Sequence, residues 1–243
     1  MGIVVPAILP SSRLDLEEKL QRLSGLTDFV QIDVVDGRFA TPPTWPYSEG
    51  VEGANTFLSE AENGTTLPGW GEFKFDIDLM VSDPDRVMGG WISEGASRIT
   101  VHAESSHFLS KAVDEIEMHY GHGKDFAVDL LSFGLALNIG TDLALIEPFI
   151  SHIEYVQFMG IRAIGRQGEP FDMHVLERVK TFRKKHPDIQ IQVDGGVSLV
   201  TAPPLLDAGV DRLVVGSALW KAPDLKAELE KFNALTEQYG LYE

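Results

Sequence analysis

The sequence predicts an α/β protein folded as a single (β/α)8 TIM barrel over residues 1–243, and three observations predict it. Strand signals and helix signals alternate eight times along the chain, which implies a parallel sheet. The strand segments are short and mostly apolar, which favours closure into a barrel over an open doubly wound sheet. The length of 243 residues, 44% of them hydrophobic, suits one large core, and a barrel of this kind takes about that much chain. No composition shift marks a second domain.

The elements follow in order. Residues 3–9 form a short apolar strand, and Ser11-Ser12 precede a helix over 14–23, where Leu14, Leu20 and Leu23 suit one face. In the strand 29–35, Val30, Ile32 and Val34 alternate with Gln31, Asp33 and Val35, so the two sets take opposite faces. The segment 39–71 carries Pro42, Pro43, Pro46 and Pro68 with several glycines, and reads as a long connection holding one helix near 49–61. A strand over 73–80, a helix containing 87–92, a strand over 98–103 and a helix over 106–120 come next. Then follow a strand over 133–138, a helical 143–150, a strand over 153–159, a glycine-bearing loop 160–168 and a helix over 172–185. A strand over 189–193, a short helix after Ser198, a strand over 212–215 and a helix over 224–239 complete the eight units.

Charge and composition narrow the function. Lys plus Arg number 20 against 37 Asp plus Glu, a net charge of −17, which argues against nucleic acid or an anionic membrane as partner. There is no cysteine, so disulfides and thiolate metal sites are excluded. The N-terminus has neither the basic region nor the long apolar core of a signal peptide, and no apolar run approaches the roughly 18 residues of a membrane span. A cytoplasmic protein, assembled as a homo-oligomer, is the expectation.

The chemistry concentrates at three strand ends. Gln31 and Asp33 share one strand face just before an Asp-Gly turn, Asp76 and Asp78 close a later strand, and Asp194 precedes Gly195-Gly196. A half-buried carboxylate is costly unless something pairs with it. Three strands that end in acids able to face inward are a means of building an active site.

These residues resemble the ribulose-phosphate 3-epimerase family, and the resemblance runs along nearly the whole chain. Pro6-Ala-Ile-Leu is similar to the family's first strand, Asp33-Val-Val-Asp-Gly to its second and Asp76-Ile-Asp-Leu-Met-Val to its third. Ile99-Thr-Val-His-Ala-Glu looks like the fourth and Leu135-Ala-Leu-Asn-Ile-Gly-Thr the fifth. Val193-Asp-Gly-Gly-Val and Val215-Gly-Ser-Ala resemble the seventh and eighth. The resemblance implies a barrel of the ribulose-phosphate-binding type, with its site at the C-terminal ends of the strands. It further implies proton removal and return beside a ketone through an enediolate, with Asp33 and Asp194 as the proton shuttles and a divalent metal on the sugar oxygens.

The departures from the family fall on its metal ligands. Gln31 and Asp78 stand where the family has two histidines, Ala7 where it has a serine, and Val35 where it has a methionine; Met80 and Met159 match two other methionines. Gln31, Asp33, Asp78 and Asp194 could all offer oxygen, a set suited to Mg²⁺ or Mn²⁺ rather than Zn²⁺ or Fe²⁺. The other reading is a metal-free ring in which Gln31 and a protonated acid hydrogen-bond one another.

A phosphorylated sugar is the expected partner. Its phosphate would lie among backbone amides at Gly165 and Gly168, Gly195 and Gly196, and Gly216 with Ser217. Arg162 and Arg166 in the sixth loop either enlarge this anion site or are solvated surface cations.

Among other candidates, His102 either faces the pocket or is a hydrogen-bonded core residue. His119 and His122 read as a solvated helix tail, Lys74 and Asp76 as an internal ion pair, and Trp45 as a lid or a packing residue. Three functions stay open: a sugar-phosphate 3-epimerase, a non-catalytic phospho-sugar-binding homologue, and a different enediolate-type aldolase or decarboxylase.

Overall fold

The computed structural model describes residues 3–62, 67–105, 109–120 and 131–240. The strands are β1 (Ile3–Ile8), β2 (Phe29–Val35), β3 (Lys74–Met80), β4 (Ala96–His102), β5 (Ser132–Leu137), β6 (Tyr155–Met159), β7 (Gln190–Asp194) and β8 (Arg212–Val215). They pair in chain order, all parallel, and β8 returns to β1 to close the barrel. The helices are α1 (Arg13–Leu23), α2 (Gly50–Glu62), α3 (Pro84–Ser93), α4 (Leu109–Tyr120), α5 (His174–Lys185), α6 (Ala202–Asp207), α7 (Ser217–Trp220) and α8 (Leu225–Gly240). Among the described residues, no helix is long and apolar enough to cross a membrane.

Side-chain periodicity decides what each strand face meets. Val30, Ile32 and Val34 of β2 join Ile77, Leu79, Ile99, Val101, Leu135, Phe158 and Val193 in the core beneath the helices. The alternate residues point inward, and there the barrel is polar: Gln31, Asp33, Asp76, Asp78, Thr100, His102, Gln157, Gln192 and Arg212 are all buried. At the N-terminal end of the barrel Asp76 pairs with Arg212 (2.5 Å) and Arg98 (3.3 Å), and Arg98 lies 3.7 Å over the Tyr155 ring. Asp76 therefore takes two arginines as partners rather than Lys74, which sits exposed over the Phe29 ring.

Gly134 of β5 makes room for that layer. A Cβ there would come within 2.3 Å of the fully buried Tyr155 ring, whose hydroxyl is 2.8 Å from Thr100 Oγ1. Held on both sides, the ring cannot swing away. Gly134→Ala should destabilise the protein by about 1–3 kcal/mol, the range for overpacking a filled interior. Urea unfolding measures it, and an unchanged midpoint would mean that the ring is free to shift.

Several elements differ from the sequence reading, for local reasons. Helix α1 buries Leu16, Leu20 and Leu23, while Leu14 is 64% exposed. Ser12 caps the helix by accepting from Asp15 N, and that start sends Leu14 outward. The segment between β5 and β6 forms two 3-10 turns, Leu143–Leu145 and Glu147–His152, not an α-helix. Pro148 supplies no N–H, and eight residues are too few to compensate. Trp45 is no lid: it is buried, with its ring 4.9 Å from Phe57 and 6.0 Å from Trp91. His119 lies in α4, and His122 lies outside the described residues.

Candidate active site

Strand register brings the acids together. Asp33 and Asp78 are direct neighbours across β2 and β3, and Asp194 ends β7, paired with Met159 on one side and Val214 on the other. Oxygens of Asp33, Asp78 and Asp194 all lie within 4.8 Å of one another. Beside them is a narrow pocket of about 40 Å³, open to solvent at the C-terminal mouth. Asp33, Asp194, Met80, Met159, Gly165, Arg166, Gly168, Gly195, Gly196, Gly216 and Ser217 line it, while Gln31 and Asp78 are buried in the barrel interior.

One amide nitrogen ties two of the acids. Gln31 Nε2 donates to Asp33 Oδ1 at 2.7 Å and to Asp194 Oδ2 at 3.0 Å. Gln157 Nε2 donates to Asp78 Oδ2 at 2.8 Å, and Asp78 Oδ1 has no hydrogen-bond partner. Burial first, then the charges of Asp194 and Asp78, hold Asp33 well above the usual carboxylate range. Asp194 is pushed up to about 7 by burial and by Asp78, against the opposing pull of Gln31, the Gly195 N–H and His102.

His102 reaches the cluster from β4. Its Nε2 is 3.2 Å from Asp78 Oδ1, close enough to pair electrostatically but without hydrogen-bond alignment, and Phe39 packs on the ring at 5.4 Å. Burial pushes the imidazole down, but Asp78, with Glu104 and Asp194, outweighs it, and the net shift is upward.

Three buried carboxylates need protons or a cation, and the set fits a cation. The donors are all oxygen, as hard divalent ions require, and one of them, Asp78 Oδ1, has only His102 beside it. Asp33, Asp78 and Asp194 could therefore hold a metal ion. Gln31 does not add the oxygen expected of it. Its Oε1 accepts from Gln192 Nε2 at 3.0 Å, so the amide turns its nitrogen to the acids.

The rim is made by backbone in close approach. A Cβ at Gly160 would strike Gly195 O at 2.3 Å, and one at Gly195 would meet Ile161 at 2.7 Å, so the sixth and seventh loops touch. Gly165, Gly168, Gly195 and Gly196 all have positive φ. Gln167 adds a side-chain amide at the rim, 3.5 Å from Ala7 O and 2.9 Å from where a Gly216 Cβ would stand.

The two loop arginines separate. Arg162 pairs with Asp172 at 2.7 Å and is 76% exposed, a surface cation. Arg166 lines the pocket but spends its guanidinium on Thr41, donating to its carbonyl at 3.0 Å and its hydroxyl at 3.3 Å. Arg166→Ala should weaken binding of a simple sugar phosphate by about 1 kcal/mol or less, as for an exposed charge. Calorimetry showing complete loss would make the arginine the anchor in place of the glycine amides.

Sequence reasoning passed over Gln157, Gln192, Arg212 and Gln167. The first three carry a readable signal, because each is a polar residue on the inward period of an otherwise apolar strand. Gln31, Gln157 and Gln192 each stand two residues before a pocket residue, namely Asp33, Met159 and Asp194. Gln167 lies in a loop and carries none.

Comparison with known proteins identifies the family and the fold. The model of the ribulose-phosphate 3 epimerase family matches residues 3–220. The ribulose-phosphate 3-epimerase of Aquifex aeolicus is 27% identical over 240 residues, covering 97% of each chain. That of Bacillus subtilis is 29% identical over 236 residues, covering 95% of this chain and 97% of its own. Among solved structures, KGPDC from Streptococcus mutans superposes with a TM-score of 0.68 at 13% identity, covering 98% of both chains. A 3-hexulose-6-phosphate synthase does so at 0.62 and 16% identity, covering 96% of this chain and 98% of its own. At those identities the structural likeness concerns the fold.

Proposed function

Because the chain belongs to the ribulose-phosphate 3-epimerase family, we propose that it interconverts pentulose 5-phosphates by inverting the carbon beside the ketone, with Asp33 and Asp194 moving the proton. The observation that carries this reading is the sharing of one Gln31 amide between the two carboxylates, beside a pocket rimmed by glycine loops.

The electrostatics suit the task. Epimerisation through an enediolate takes a proton from one face of the carbon and returns one to the other, so it needs one ionised carboxylate and one protonated one. Burial and mutual repulsion retain a proton in the Asp33–Asp194 pair up to near-neutral pH. The ionised member accepts the substrate proton, the protonated member delivers its own to the opposite face, and the two states have then exchanged. The reverse reaction starts from that exchanged state. Met80, Met159 and Ile161 give the pocket apolar walls that limit water around the enediolate. The glycine backbone at 165–168, 195–196 and 216 faces the phosphate, and the Gln167 amide stands beside it.

Asp33, Asp78 and Asp194 would hold a divalent ion, Mg²⁺ or Mn²⁺ by their oxygen chemistry. When bound it supplies positive charge against the developing enediolate. An assay of ribulose 5-phosphate conversion to its C3 epimer, with and without each ion, tests the proposal. A protein that binds the sugar phosphate but converts none under any ion would instead be a binding homologue.

A further inference from the structure

A hydrogen-bonded chain crosses the barrel interior behind the three carboxylates, and chemistry fixes its polarity at the Arg212 end. Arg212 can only donate, and its Nε gives to Gln192 Oε1 at 3.0 Å. With its oxygen engaged, Gln192 donates from Nε2 to Gln31 Oε1 at 3.0 Å and to Gln157 Oε1 at 2.7 Å. Those two amides then face the acids, Gln31 donating to Asp33 and Asp194, and Gln157 to Asp78. The three carboxylate oxygens they meet, Asp33 Oδ1, Asp194 Oδ2 and Asp78 Oδ2, accept in this arrangement, which agrees with the direction set by Arg212, and a proton kept by the pair lies on another oxygen. Register supports the geometry: Gln157 is the neighbour of Gln192 across β6 and β7, and Gln192 that of Arg212 across β7 and β8. Turning over any one amide would set oxygen against oxygen in a buried place, where each lost bond is expensive.

We propose that Gln192, oriented by Arg212, is a positioning residue: it sets the direction of Gln31 and Gln157 so that amide donors, not carbonyl oxygens, meet Asp33, Asp78 and Asp194. A divalent ion is then taken by carboxylate oxygens alone, with the glutamines holding those carboxylates from behind. The orientation itself does not rest on the epimerase reading.

The test uses the full chain, labelled with ¹⁵N at glutamine side chains, treated with chelator and then titrated with Mg²⁺. In the wild type, the side-chain amide protons of Gln31 and Gln157 should resonate downfield, as donors to charged acceptors do, exchange slowly, and shift as Mg²⁺ is added. Gln192→Glu has nearly the same shape but only accepts. It keeps Arg212 and draws both neighbouring nitrogens toward itself, turning their oxygens to the acids. Both downfield signals should then disappear, and Mg²⁺ affinity by calorimetry should change about tenfold or more, the scale of effects from groups behind a metal ligand. Gln192→Leu breaks the chain without reversing it, so the two signals should exchange faster while affinity changes less than in Gln192→Glu. Unchanged Gln31 and Gln157 signals with unchanged Mg²⁺ affinity in Gln192→Glu would overturn the proposal. If that variant does not fold, the wild type decides, because fast-exchanging Gln31 and Gln157 amides at solvent-like positions overturn it equally. Protected, downfield amides in a protein with no epimerase activity would leave this inference standing and remove the functional one.

Discussion

Asp33→Asn should lower turnover of ribulose 5-phosphate by on the order of a thousandfold or more while making the chelator-treated protein more stable. The first effect follows from losing a proton-transfer group, which alone contributes about 10²–10⁴-fold. The second follows from the carboxylate's surroundings: burial, Asp194 and Asp78 all oppose its ionised form. A carboxyl whose pKa is raised on folding contributes stability that is fully present below its unfolded value of 3.8 and lost as pH rises through the folded one. Asparagine cannot ionise, and its carbonyl still accepts from Gln31, so the gain over wild type should be absent near pH 4 and grow toward neutrality. Thermal melts across pH 4–8 on both proteins measure it. A variant both inactive and destabilised throughout that range would make Asp33 a structural residue.

The second large effect concerns the cation. For the chelator-treated wild type, stability should fall as pH rises from about 4 to beyond 7, because Asp33 and Asp194 are driven to ionise side by side. Mg²⁺ or Mn²⁺ should flatten that slope. At an ion concentration of 100 times Kd, the gain at neutral pH is about 2.7 kcal/mol, worth several degrees in Tm for a chain of this size. Turnover should respond more steeply: charge stabilisation of an enediolate by a metal is worth several kcal/mol, so chelation should cost on the order of a thousandfold. Asp78→Asn should abolish the ion's effect on Tm, because it removes the carboxylate whose Oδ1 has only His102 beside it. A Tm indifferent to both ions and to chelator would leave the carboxylates balanced by protons alone.

How far the sequence led depends on whether the deciding contact was local. The Val30–Ile32–Val34 alternation predicts both the buried face and the inward Gln31 and Asp33, because side-chain direction in a strand is a period-two property. The positions of Gly195 and Gly196 were legible for a similar reason, since a tight turn after a strand needs positive φ. The sense of the Gln31 amide was not legible. It is set by Gln192 on β7 and, through it, by Arg212 on β8, residues more than 160 positions away in the chain. Asp76 likewise chose Arg212 and Arg98 over Lys74, because the barrel brings β8 and β4 toward it while Lys74 stays at the exposed end. For Trp45 the sequence leaves lid and packing residue equally open, and two aromatic neighbours drawn from α2 and α3 decide for packing. Arg166 met Thr41 across two loops, a contact that no pattern in either loop announces.

The most direct measurement of the central claim is solvent isotope incorporation. With ribulose 5-phosphate in D₂O and saturating Mg²⁺ or Mn²⁺, mass spectrometry and NMR follow deuterium at C3 of substrate and product. If Asp33 and Asp194 pass the proton through an enediolate, the wild type should form the C3 epimer carrying deuterium at that carbon. Asp33→Asn and Asp194→Asn should each form it more slowly, by on the order of a thousandfold or more. Deuterium reaching C3 at the wild-type rate in either variant, or no deuterium uptake by the wild type with either ion, would contradict the assignment of this chemistry to the two aspartates.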